Sequence, residues 1–401
     1  MIDLGNKLKT MLCIICRDAL KPGGAAFLCS QMRSTPYDTF EDDIHLRAVI
    51  DWLCRAQDVC GGRGVSVSYH LRRGWDVAYP ETSGYIIATF LAYEEATGIP
   101  EFLRRARELG DWEIEIQAGN GGVLSNPLQS DTRVFNTGQV LLGWCTLFER
   151  SGDERYLEAA CRAGDYLRSL QEPDGSWQRD TYCGARTYHA RVDWSLIRLA
   201  RISGNYSYLD AAVRNLSWVV QRQNDNGWFR ECGFNGSDPT THVIVYTLRG
   251  LLESHLHGGT DLPDMGLLSM VQRAVDAICG VIGSFPYRGL EWLLPASFDA
   301  NWKSRDRWSC LTGNAQFACL LFRLAGVTGE QKYRGIGERI VEAMKSTQNT
   351  ATRLQNVRGG IGGAWPLHAP YCSNAFPNWA AKFFADALLM RMNPSRGPVK
   401  A

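Results

Sequence analysis

The chain has 401 residues, with 43 Lys and Arg against 42 Asp and Glu and a formal net charge of +1. Charge so balanced creates no field to draw in nucleic acid or an anionic membrane, and neither is expected as a partner. The 13 Cys show no zinc-ribbon or thioredoxin spacing, so they read as reduced thiols of a cytoplasmic protein, and no apolar run reaches the about 20 residues of a membrane span.

Residues 1–40 are expected to form an N-terminal extension, partly disordered, ahead of one domain over 41–395 and a tail over 396–401. The first predicted helix, about Ile44 to Gln57, carries charges on one side and ends on a Gln followed by a Gly turn, "RAQDVCGG". The second, "GYIIATFLAYEEATG" over 84–98, is apolar on almost every side. A helix apolar all round belongs inside, and an amphipathic one lies over it.

That alternation continues to the end of the chain. Outer-type phrases recur as "GDWEIEIQAGNGG", "GDYLRSLQEPDGSW" and "LSWVVQRQNDNGWF", placing Gln57, Gln117, Gln171 and Gln223 at intervals of 60, 54 and 52 residues. A fifth copy, "VDAICGVIGSFPY", lacks the Gln, and a sixth ends at Gln348. Inner-type helices follow over 137–153, 189–205, 241–256, 313–329 and 378–392. A repeat of this length, six outer helices alternating with six inner ones, predicts an all-α (α/α)6 toroid.

Loop lengths identify the working face. Inner-to-outer links are tight turns such as "SGDERY" and "TGEQKY", whereas outer-to-inner links are long, at 118–136, 172–188, 281–312 and 349–377. Long ordered loops inside a domain usually carry function. The active face is therefore expected where the inner helices begin. Thr82, Thr137, Thr241 and Asn314 there read as helix caps.

Capping does not account for the ionisable and aromatic side chains in the same phrases. Trp75, Trp228, Trp365 and Trp379 are expected as sugar platforms, because aromatic faces suit a planar, hydroxyl-rich ligand, and Tyr79 as a further substrate contact. Glu81 is expected to look into the funnel, with Trp75 and Tyr79 on its rim; its structural alternative is a carboxylate complementing the helix dipole. Arg133, Arg186, Arg191 and Arg358 are expected to hold a substrate carboxylate, with Tyr188, His189 and His242 joining Glu81 in proton transfer and Tyr246 a further candidate base. These arginines equally suit a structural network with neighbouring aspartates. Glu231, Asp299 and Asp193 are the possible second carboxylates of a hydrolase. Asp306 and Cys310 with His368 or Cys372 match no tight metal-binding spacing, so neither metal nor cofactor is expected.

The alternation over roughly residues 44–392 resembles the six-hairpin glycosidase-like and terpenoid-cyclase-like toroids. The Asp-x-Asp-Asp acid motif of triterpene cyclases is missing, "SFDANW" being the nearest phrase, which disfavours terpenoid cyclase or prenyltransferase chemistry. More specifically, "GWDVAYPETSGYI", "VFNTGQVL", "THVIVYTLRGLLE", "WSCLTGNAQ", "RGGIGGAWP" and "FPNWAAKFFADAL" resemble an uncharacterised family associated with bacterial polysaccharide biosynthesis. That resemblance implies a carbohydrate-active protein working beside polysaccharide-synthesis enzymes, and it transfers no catalytic residue. The family commonly has Asp where this chain has Asn136, so no carboxylate is expected there. The expected activity is uronate C5 epimerisation or elimination, ahead of six-hairpin glycoside hydrolysis and of a non-catalytic glycan-binding or scaffold role.

Overall fold

The computed structural model describes Phe27 and residues 35–393, apart from 235 and 284. The N-terminal extension up to residue 34, Phe27 excepted, and the tail over 396–401 therefore lie outside the described residues.

Among residues 35–393 twelve α-helices alternate between two layers. The outer layer is α1 (Asp42–Asp58), α3 (Glu101–Glu115), α5 (Glu154–Ser169), α7 (Ser207–Val220), α9 (Leu267–Cys279) and α11 (Gln331–Lys345). The inner layer is α2 (Pro80–Thr97), α4 (Val134–Ser151), α6 (Ala190–Ser203), α8 (Thr241–Gly258), α10 (Leu311–Thr328) and α12 (Asn378–Met392). Each inner helix touches the next, and α12 returns to touch both α1 and α2, so the ring is closed. This is the expected (α/α)6 toroid.

The recurring Gln is a rivet between hairpins. Gln171 Nε2 donates to the carbonyl of Gly175 in its own turn (3.0 Å) and to that of Ala211 on the next outer helix (2.8 Å). Gln117 makes the same pair of bonds to Gly121 and Ala159, and Gln223 to Gly227 and Met270. Gln348 closes the circle onto the carbonyl of His45 in α1. An amide that joins its own turn to the neighbouring helix explains why the residue returns once per hairpin.

Inner helices pack at glycine contacts. A Cβ on Gly143 would stand 2.4 Å from the Gly84 carbonyl oxygen, and one on Gly84 2.6 Å from Val140 Cα. Four inner helices end in a left-handed glycine, Gly98, Gly152, Gly204 and Gly329, which turns the chain directly into the outer helix.

The long loops sit together at the start of the inner helices and carry short strands that the helical pattern did not foretell. β1 (Ser68–His70) pairs antiparallel with β2 (Gly74–Trp75) and with β5 (Ala375–Pro377), tying the first mouth loop to the last. β3 (Ser309–Cys310) pairs with β4 (Ala364–Trp365). The expected caps are corrected here: Thr82, Thr137, Thr241 and Asn314 lie inside the first turn, and no side chain caps α2, α4, α8 or α10. Thr137 Oγ1 instead accepts from the backbone NH of Val123, and Asn314 Oδ1 from that of Leu294, which pins the mouth loops onto the helices.

Candidate active site

At the mouth end the ring encloses a cavity of about 290 Å³, lined by Tyr79, Glu81, Tyr85, Phe135, Tyr182, Tyr188, Phe234, His242, Val243, Tyr246, Tyr371 and Trp379. Each lining group comes from an inner helix or from the loop leading into one. The rings brace one another: the centroid of Phe135 lies 5.3 Å from that of Tyr188 and 5.1 Å from that of Tyr246. Trp379 Nε1 donates to the Tyr371 hydroxyl at 2.9 Å.

Among these described lining residues Glu81 is the sole carboxylate, and there is no Lys or Arg. Pro80 starts α2 with its preset φ, so Glu81 falls in the first turn and projects into the cavity wall. Its side chain is buried and has no ion pair of its own among the described residues. Burial pushes its carboxyl up to about 7, opposed more weakly by the Tyr79 hydroxyl and by the positive charge of Arg191. A carboxyl of that acidity exchanges its proton near neutral pH, which is what an acid–base group requires.

Glu81 ends a chain of hydroxyls. The Tyr79 hydroxyl lies 3.3 Å from Glu81 Oε2 and 2.6 Å from the Tyr182 hydroxyl. Tyr182 donates to Asn136 Oδ1 at 2.8 Å, and Asn136 Nδ2 donates to the Leu124 carbonyl at 3.1 Å. The Tyr182 ring lies beneath the Arg133 guanidinium, 5.6 Å from ring centroid to Cζ.

His242 faces the cavity with its ring tilted against Tyr371, centroids 4.9 Å apart, and its Nδ1 lies 2.9 Å from Thr240 Oγ1. Burial depresses its basicity to about 3, so it is neutral in the resting protein. Tyr188 lines the wall with its hydroxyl 3.7 Å from Cys183 Sγ, and burial raises its pKa. His189 does not line the cavity: it is fully buried against Trp177, both ring nitrogens lack a hydrogen-bond partner, and burial lowers its pKa to about 3.

None of the arginines expected to grip a carboxylate lines the cavity. Arg133 pairs with Asp131 at 2.6 Å beside the mouth, and Arg186 donates to the carbonyls of Gly233 and Ala185. Arg191 lies beneath the cavity floor, bonded to Gln139 and surrounded by the rings of Tyr85, Trp194, Tyr246 and Phe383. Arg358 is exposed on the outside of its loop.

Of the expected platforms Trp379 lines the cavity, as does Tyr79 from the expected rim. Trp75 packs on Trp52 and Tyr69, Trp228 on Trp302, and Trp365 beside Tyr37. Glu231 is exposed and paired with Arg222 at 2.5 Å. Asp299 accepts the backbone NH groups of Asn301 and Lys303 in its own turn. Asp193 is fully buried without a hydrogen-bond partner, and burial holds its carboxyl well above the usual range. The sequence reading passed over Phe135, Tyr182, Phe234 and Tyr371; the aromatic content of the long loops was their one signal. Among the described residues no group of three or more His, Cys, Asp and Glu is placed to hold a metal, and no helix is long and apolar enough to cross a membrane.

A closed ring of six helix pairs with an aromatic cavity at its loop end is the (α/α)6 toroid fold, which the chain shares with several solved structures. Solved structures similar to it include the unsaturated glucuronyl hydrolase from Bacillus sp. GL1, which degrades glycosaminoglycan, at TM-score 0.71 and 13% identity over 90% of this chain and 98% of that one. An unsaturated glucuronyl hydrolase specific for heparin matches at TM-score 0.70 and 15% identity over 90% and 100% of the two chains. Cellobiose 2-epimerase from Bacillus thermoamylovorans follows at TM-score 0.66 and 10% identity over 86% and 96%. No protein-family model and no curated protein matches the chain.

Proposed function

We propose that this chain is a carbohydrate-active enzyme in which Glu81 donates a proton to one sugar residue of a glycan and afterwards takes one back. The observation that carries this reading is a lone carboxyl, titrating at about 7, on the wall of an otherwise aromatic cavity. The cavity lies near the lower end of the about 300–1,000 Å³ typical of small-ligand sites, which fits a terminal sugar rather than a long stretch of chain. Toroids of this fold named as hydrolases, epimerases and polysaccharide lyases support the class.

Acid-initiated glycoside hydrolysis fits the geometry best. The Glu81 proton passes to the glycosidic oxygen, the bond from C1 to that oxygen breaks, and the leaving sugar departs as an alcohol. The electron-rich faces of Tyr85, Tyr246 and Trp379 favour the positive charge left on the ring. Water then adds to C1 and returns a proton to the Glu81 carboxylate. One carboxyl serves both halves, consistent with the lack of a second one in the lining.

The uronate reading keeps one supporting observation. Arg133 borders the cavity through Tyr182, and its buried Nε has no hydrogen-bond partner. A uronate carboxylate at the mouth would meet that guanidinium, leaving Glu81 to remove the C5 proton. Incubation with acidic and neutral oligosaccharides in D2O separates the two readings. New reducing ends without carbon-bound deuterium support acid-initiated cleavage. Deuterium at C5, or a new double bond, transfers the assignment to epimerase or lyase chemistry, and binding without conversion contradicts both.

A further inference from the structure

Asn136 is fully buried in the first turn of α4, two tyrosines away from Glu81. Its orientation follows from its partners: the Leu124 carbonyl accepts only, so Nδ2 must face it and Oδ1 must face Tyr182. Tyr182 is therefore obliged to donate toward Asn136. Having one hydroxyl proton, it then has none left for the 2.6 Å contact with Tyr79, and Tyr79 must supply it.

The proton count shows which state of Glu81 this chain favours. Three contacts run in series from Glu81 through Tyr79 and Tyr182 to Asn136, whose amide also lies close enough to Tyr79 to favour its ionised form. With Glu81 protonated, three protons serve three contacts, each donor pointing toward Asn136. With Glu81 ionised, two protons remain. One of the three contacts must then go without a proton: the carboxylate loses its donor, or the two hydroxyl oxygens face each other at 2.6 Å, or Tyr182 turns to Tyr79 and the fully buried Asn136 Oδ1 loses the donor that held it at 2.8 Å.

We propose that Asn136 is a positioning residue that fixes the direction of this hydrogen-bond chain and so holds Glu81 in its acid form between turnovers. The inference rests on Glu81 being the proton-transfer group. The other groups facing that carboxyl are Arg191 on α6, His242 and Tyr246 on α8, Tyr85 on α2 itself and Tyr371 in the last mouth loop; Lys382 on α12, beside Tyr85, is paired with Asp386. The Asn136 amide bonds to Tyr182 and to the Leu124 carbonyl rather than to any of these groups, so the chain from Asn136 is a separate control on Glu81.

The test is the Glu81 titration itself, followed by carbon NMR on full-length protein labelled at the Glu side-chain carboxyl, with the signal assigned by its loss in Glu81→Gln. Removing the obligate acceptor or the linking hydroxyl frees Tyr79 to serve the carboxylate. Asn136→Leu and Tyr182→Phe are each expected to lower the Glu81 midpoint by about one pH unit, a tenfold change in ionisation constant. Asn136→Asp keeps an acceptor in place, and its midpoint is expected to stay at or above that of the parent. A Tyr182→Phe midpoint that is unchanged or raised overturns the proposal; Tyr182 is 42% exposed and the change removes a single oxygen, so this variant carries the test even if Asn136→Leu does not fold. The titration reads no activity. Midpoints that shift as expected in a protein that converts no glycan would overturn the catalytic reading and leave the directed chain standing.

Discussion

At the scale of single residues, Glu81 bears two opposed demands. A carboxyl that must carry a proton near neutral pH has to be buried, and burial of its charged form costs stability. Its folded pKa of about 7 lies above the ordinary 4.5, so the folded protein binds the proton more tightly than the unfolded chain does. Its contribution is fully present below about 4.5 and is lost as pH rises through about 7. At 1.4 kcal/mol per pKa unit the loss is about 3 kcal/mol. Glu81→Gln is therefore expected to be more stable than the parent at pH 8 and equal to it near pH 4, as read by denaturant unfolding at both pH values. The fully buried Glu113 and Asp193 shift the same way and remain in the variant, so part of the pH dependence persists. In turnover, an acid form that is required at the start predicts kcat/KM falling with one-proton slope above about pH 7. A rate that climbs across that range would show that the carboxylate starts the reaction.

At the scale of elements, the Gln rivets and the glycine contacts set the ring's geometry. Gln171→Ala leaves the Ala211 and Gly175 carbonyls and the Arg214 guanidinium without their shared partner. Such losses cost about 1–3 kcal/mol, and urea unfolding should show this with cavity binding little changed. Gly143→Ala forces a Cβ to within 2.4 Å of the Gly84 carbonyl, so α2 and α4 must separate. We expect a loss of at least about 2 kcal/mol, and a shift in the Glu81 titration because α2 carries that residue. The helix pairs were legible in the sequence because a wholly apolar helix and an amphipathic one differ along their whole length. The mouth strands were not, since pairings such as Tyr69 with Phe376 join segments far apart in the chain. The Gln repeat was visible, but its purpose depended on carbonyls of the following hairpin.

At the scale of the whole molecule, ring closure by α12 onto α1 and α2 gathers the entries to five of the six inner helices, all but α10, around one cavity. Of the side chains singled out from the sequence for catalysis or substrate binding, Tyr79, Glu81, Tyr188, His242 and Trp379 line that cavity. The sequence could not separate them from Trp75, Trp228, Glu231 or Asp299, which also lie in mouth loops but turn into loop packing, an outward ion pair or a turn. A one-residue difference of direction decides that, and loop composition does not encode it. The arginines were ambiguous for a related reason: Arg133 met Asp131 and Arg186 met backbone carbonyls, partners that a linear reading leaves open.

The most direct test is conversion of a panel of neutral and acidic oligosaccharides by the parent protein and by Glu81→Gln, compared by mass spectrometry at pH 6. A general acid contributes about 10²–10⁴-fold. The parent is predicted to convert at least one member of the panel, and Glu81→Gln to be slower by at least about 100-fold while remaining folded. A parent that converts nothing, or a variant that keeps pace with it, would contradict the assignment of Glu81 as the proton-transfer group of a carbohydrate-active enzyme.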